Sequence, residues 1–152
     1  MTDNIEHRFE RPTDSDGYLS FQCPFCAYRF ELSAAELTAA EGVELYCPAC
    51  GLSNTPDTFA TDEVKQYALE VAKSMIYGKI NTMFDDFART ASRNKNITVK
   101  RGSRLPDKVP SPPAEPEDLS EVSFTCCGHS AKVDIPSAAG SFYCPYCGVK
   151  QP

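Results

Sequence analysis

Six of the chain's eight cysteines stand in three copies of one tetrapeptide, Cys23-Pro-Phe-Cys26, Cys47-Pro-Ala-Cys50 and Cys144-Pro-Tyr-Cys147. A Cys-x-x-Cys turn converges two sulfurs, with backbone N–H groups near enough to stabilise their charge, and two such turns complete the tetrahedral set of four ligands that zinc prefers. Cys23, Cys26, Cys47 and Cys50 make such a double pair with 20 residues between the turns, close to the spacing of paired metal knuckles. Four reduced cysteines packed as small hydrophobes are the rival reading, and the paired spacing argues against it. Disulfides are the expectation for a short exported chain, but residues 1–11 are polar and charged with no apolar signal core. Metal thiolates in a reducing cytoplasm are therefore expected.

The two ends of the chain repeat one pattern. Phe21-Gln-Cys23-Pro-Phe-Cys26, Ser33-Ala-Ala and Tyr46-Cys47-Pro-Ala-Cys50-Gly51 return as Phe124-Thr-Cys126-Cys127-Gly-His129, Ser137-Ala-Ala and Tyr143-Cys144-Pro-Tyr-Cys147-Gly148. Placing Phe124-Thr-Cys126 on Phe21-Gln-Cys23 sets His129 opposite Cys26, Val133 opposite Phe30 and Ile135 opposite Leu32. The second site then consists of Cys126, His129, Cys144 and Cys147, since neutral imidazole is an ordinary zinc ligand. An alternative assignment uses Cys127 in place of His129. It requires ligands from adjacent positions, but Cys127-Gly128 resembles the Cys-Gly endings at Cys50 and Cys147.

Alternation at Tyr28-Arg-Phe30-Glu-Leu32 and Ala131-Lys-Val133-Asp-Ile135 marks a half-buried strand after the first knuckle of each copy. In the first copy, Ser33-Ala-Ala-Glu36 has capping-box spacing, and Gly42 can end a short helix before a return strand at 43–46. Between the copies, Thr61 is the expected N-cap of a long amphipathic helix, with Asp62 and Glu63 in its first turn and apolar residues spaced by three and four through Ala91. Gly78 leaves open one rod or a helical hairpin. Residues 106–116 contain five prolines and read as an extended linker. The resulting expectation is a small metal-bound α+β chain: a first ribbon at 18–56, the helix at 61–94, a basic and Pro-rich linker at 95–118, and a second ribbon at 119–152.

The net charge of −6 is unevenly spread. Residues 1–88 carry 6 Lys/Arg against 15 Asp/Glu, 89–108 carry 7 against 1, and 109–152 carry 2 against 5. An acidic chain repels phosphate overall, so a nucleic-acid role rests on Arg89, Arg93, Lys95, Lys100, Arg101, Arg104 and Lys108. A solvated linker balancing the acidic residues is the competing reading. No aromatic residue lies between 88 and 108 to stack on bases. No stretch is long and apolar enough to span a membrane.

The Cys-Pro-x-Cys-Gly knuckles at 47–51 and 144–148, opposite Cys23-Pro-Phe-Cys26 and Cys126-x-x-His129, resemble the zinc-ribbon superfamily over 30–40 residues at each end. That resemblance implies rubredoxin-like β modules that dock on protein or nucleic acid, with zinc in a structural role. Cys144-Pro-Tyr-Cys147 is also a glutaredoxin-like tetrapeptide, but the five residues after it are too few for the helix that such chemistry needs. Iron in a rubredoxin-like site suits the same thiolates, although the chain lacks Trp. Hydrolytic zinc needs an open position, and the other histidine, His7, lies in a polar terminal segment. The expected function is a non-catalytic zinc-binding adapter, with two Zn²⁺ per chain and a protein partner. A nucleic-acid-associated accessory protein is the alternative. The helix stripe allows self-association, and the knuckle-tip residues Phe25 and Tyr146 are candidate contacts.

Overall fold

Antiparallel hairpins form where apolar and polar residues alternate on either side of a knuckle. In the computed structural model, which describes residues 11–38, 42–134 and 140–152, β1 (Tyr18–Gln22) pairs with β2 (Arg29–Ser33), with Phe21 opposite Phe30. A short α1 (Ala34–Thr38) follows, and β3 (Leu45–Tyr46) pairs with β4 (Ser53–Asn54) around the second knuckle. The C-terminal copy repeats this with β5 (Ser120–Ser123) on β6 (Ser130–Val133), then β7 (Phe142–Tyr143) on β8 (Lys150–Gln151). The outer strands β1 and β5, and the closing strands β4 and β8, carry no strong alternation that would mark them in the sequence. Ile135 and Ser137 lie outside the described residues.

The long helix α2 runs unbroken from Asp62 to Ala91, so Gly78 does not divide it. Thr61 caps it, its hydroxyl accepting from the Val64 N–H at 3.3 Å. No helix among the described residues is long and apolar enough to cross a membrane. The chain divides into two units, Met1–Val64 with Pro113–Pro152, and Lys65–Pro112.

In the first unit the two copies are one body. Strands β2 and β6 pair antiparallel, giving a four-stranded sheet in the order β1-β2-β6-β5. Glu31 stands directly opposite Lys132. In the paired hairpins Gln22 and Arg29 correspond to Ser123 and Ser130, and Glu31 corresponds to Lys132. A local two-fold axis therefore passes between Glu31 and Lys132, and a pair of opposite charge occupies the position where identical copies would oppose like charges. Beneath the sheet, Phe21, Phe30, Phe59, Leu32, Leu45, Phe124 and Val133 are buried with Cys23, Cys47 and Cys144. The Phe21 and Phe30 rings stack at 5.8 Å, and Phe59 meets Phe30 edge-on at 5.8 Å.

The second pair of knuckles repeats the symmetry. Tyr46 N–H donates to Pro145 C=O and Tyr143 N–H to Pro48 C=O, both at 2.9 Å. Each tyrosine ring lies against the glycine that closes the other copy's knuckle, Tyr143 on Gly51 and Tyr46 on Gly148.

In the second unit, residues 99–107 return along α2. The Asn81 side chain forms a two-way clasp on Leu105, donating to its C=O at 2.9 Å and accepting from its N–H at 3.0 Å. It also donates to Asp107 at 3.1 Å. Arg101 pairs with Asp85, and Arg104 reaches both Asp85 at 3.4 Å and Asp107 at 3.8 Å. Three of the tract's seven basic residues, Arg89, Arg101 and Arg104, are thus paired with acids of the helix.

Candidate metal centres

Three knuckles share one backbone form. The N–H of the residue after the second cysteine donates to the C=O of the first: Ala27 to Cys23 and Gly51 to Cys47 at 2.9 Å, Gly148 to Cys144 at 2.8 Å. That residue has positive φ each time, 60° at Ala27, 75° at Gly51 and 72° at Gly148. The turn aims two amides at the first cysteine's sulfur: Phe25 and Cys26 at Cys23, Ala49 and Cys50 at Cys47, Tyr146 and Cys147 at Cys144. Burial raises the Cys23 thiol, but these amides together with the Cys26 and Cys47 side chains outweigh it and hold the thiol below its ordinary value. At Cys47 and Cys144 burial dominates and pushes both thiols up. A cation among the sulfurs offsets that cost, because metal-bound thiols are deprotonated.

The first cluster contains the four cysteines expected from the sequence. The sulfurs of Cys23, Cys26, Cys47 and Cys50 all lie within 4.8 Å of one another. Cys23 Sγ is 3.7 Å from Cys50 Sγ, and Cys26 Sγ is 3.5 Å from Cys47 Sγ. A tetrahedral ion with metal–sulfur bonds of about 2.3 Å sets its sulfurs about 3.8 Å apart, so the set fits a four-coordinate thiophilic ion. All eight cysteines are free thiols.

At the second cluster the sequence-based ligand set is corrected. The four sulfurs gathered within 4.8 Å belong to Cys126, Cys127, Cys144 and Cys147, and His129 is not among them. The fourth knuckle has the backbone of the other three but begins one residue after Ser123, at Phe124. Phe124 N–H donates to His129 C=O at 2.8 Å, Gly128 N–H donates to Phe124 C=O at 2.9 Å, and Gly128 has φ 76°. Phe124 therefore occupies the place that Cys23 holds in the first copy, Cys127 that of Cys26, Gly128 that of Ala27, and His129 that of Tyr28. The buried position of the first cysteine is filled by a phenyl ring, only 2% exposed. Cys126, at the knuckle tip where the first copy has Phe25, supplies the missing sulfur.

The displaced ligand still reaches the set. Cys127 Sγ lies 3.5 Å from Cys144 Sγ, Cys126 Sγ 3.4 Å from Cys147 Sγ, and the two adjacent sulfurs are 4.0 Å apart. Burial and the neighbouring thiols push Cys126 up, with no backbone amide among its leading influences. Its polar support comes from Gln151, whose Nε2 is 3.3 Å from the sulfur. His129 instead packs its ring 4.7 Å from that of Tyr146, with Nδ1 buried and unpartnered among the described residues. The signal that could have identified Cys127 was the Cys-Gly ending that it shares with Cys50 and Cys147.

Phe25 is exposed at its knuckle tip, whereas Tyr146 is partly buried and its hydroxyl donates to Ser130 C=O at 3.0 Å. His7 lies outside the described residues. No family model, curated protein or solved structure matches the chain.

Proposed function

We propose that the chain is a non-catalytic, cytoplasmic zinc-binding adapter, in which one structural Zn²⁺ in each four-cysteine set fixes a double zinc ribbon that carries a protein-binding helix. The supporting observation is that each set offers four sulfurs at tetrahedral spacing, which leaves a zinc ion no open position for substrate or activated water. Cys23, Cys26, Cys47 and Cys50 would hold one ion, and Cys126, Cys127, Cys144 and Cys147 the other. Bound zinc supplies charge neutralisation and cross-linking to a unit whose sheet strands are only two to five residues long. In small ribbons such an ion contributes on the order of 10–16 kcal/mol to folding.

The nucleic-acid reading ranks second, because Arg101 and Arg104 are paired with Asp85, and Arg89 with Asp86 at 3.3 Å. Chelation tests the structural role. Stripping metal at neutral pH is expected to abolish the β signal of the ribbon unit, and zinc restores it. A chain that keeps its sheet without metal contradicts the proposal.

A further inference from the structure

Helix α2 has one face covered by residues 101–107 and another exposed, with Phe84 and Phe87 at the edge of the groove that residues 99–105 form with the helix. Asn81, Asp85 and Gly78, on the first face, meet residues 101–107. Residues 69, 73, 76, 80, 83 and 87 lie on the other, separated alternately by four and three, the spacing of a coiled-coil seam. They are Leu69, Lys73, Ile76, Ile80, Met83 and Phe87, flanked by Phe84. Leu69 is 62% exposed, Ile76 57%, Met83 71%, Phe84 61% and Phe87 63%. At roughly 200 Å² for a full side chain, these five expose on the order of 600 Å² of apolar surface. That is as large as the largest patch normally left on a monomer.

We propose that this seam pairs antiparallel with the same seam of a second copy of the chain. Two copies would cover on the order of 1,200 Å² from these side chains alone, the lower end of what stable interfaces bury. Charge sets the orientation. In-register parallel pairing would place Lys73 against Lys73 in the seam. Antiparallel pairing instead places Ile76 opposite Ile80 of the second copy, and Leu69 opposite Phe87. Lys73 then lies opposite Met83 of the other helix, along whose side chain its methylenes can pack.

The inference rests on the adapter reading only in treating this helix face as a binding surface. Sedimentation equilibrium of the zinc-loaded full chain is expected to give twice the 16.7 kDa chain mass. Ile76→Glu with Met83→Glu, both at exposed positions, is expected to give a monomer with helix content and metal count unchanged. A photo-crosslinking residue at position 69 should attach near Phe87 of the other copy. A monomer at all concentrations, a dimer indifferent to the double variant, a crosslink back to position 69, or a complex with a different protein through this face would overturn the proposal. A monomeric, zinc-loaded chain leaves the adapter reading standing, whereas a chain that folds without metal defeats that reading whatever its oligomeric state.

Discussion

Ala27 occupies a left-handed backbone position that glycine holds in the other three knuckles. A side chain in that region costs about 1–2 kcal/mol, partly offset because glycine makes the unfolded chain freer. Ala27→Gly is therefore expected to stabilise the zinc-loaded chain by about 0.5–1 kcal/mol in denaturant unfolding, with the metal count unchanged. Lys132 sits on the local axis among carboxylates: it bonds Asp14, reaches Asp16 at 2.8 Å and lies opposite Glu31. Burial works against its charge, but Asp14 and Asp16 outweigh burial and raise its pKa. Asp14 is likewise opposed by burial, yet the bonds from Lys132 and from the Tyr18 and Asp16 amides hold it below its ordinary value of 3.8. Asp14's contribution is thus complete above that value and is lost as pH falls through its lower folded value. The contribution of Lys132 is complete below the ordinary lysine value and is lost only as pH rises through its raised one. Lys132→Met keeps the apolar stem but leaves the Asp14 and Glu31 carboxylates without their countercharge, and is expected to cost about 3–5 kcal/mol at neutral pH. The loss should shrink in acid as the carboxylates become protonated, which unfolding titrations at several pH values would show.

The elements were legible in proportion to how local their signals are. Helix α2 followed from its cap and its three-and-four spacing, and the N-terminal ligand set from two intact Cys-Pro-x-Cys turns. The fourth knuckle was not, because alternation cannot detect a slip of two residues: it leaves every side chain on the same face. Matching Val133 to Phe30 therefore looked as sound as the observed match of Val133 to Leu32, and it carried His129 into the ligand position. Nor does any local pattern announce that β2 will pair with β6, or that knuckles far apart in sequence will pack reciprocally. Those reciprocal contacts give the closing glycines unequal tolerance. A Cβ on Gly148 would meet the Tyr46 ring at 2.7 Å, whereas one on Gly51 would meet Tyr143 at 3.0 Å. Both alanine variants also incur the left-handed cost. Gly148→Ala is expected to lose about 2–4 kcal/mol and Gly51→Ala less, read from the shift in zinc-loaded unfolding midpoints.

At the scale of the whole chain, the ribbon unit is two copies of one ribbon joined across a shared sheet, with the metal clusters differing in how their sulfurs are supplied. One copy keeps a buried cysteine as its first ligand. The other replaces it with Phe124 and draws Cys126 from the exposed knuckle tip, so an ion there would be held by a sulfur with weaker backbone support. The central claim is that each copy holds one ion through four cysteines, and native mass spectrometry of the intact chain and two variants tests it most directly. The wild type is expected to carry two zinc ions per chain, His129→Ala to keep both, and Cys127→Ser to lose the second selectively. Fewer than two metal ions in the wild type, or loss of one in His129→Ala while Cys127→Ser retains both, would contradict the account.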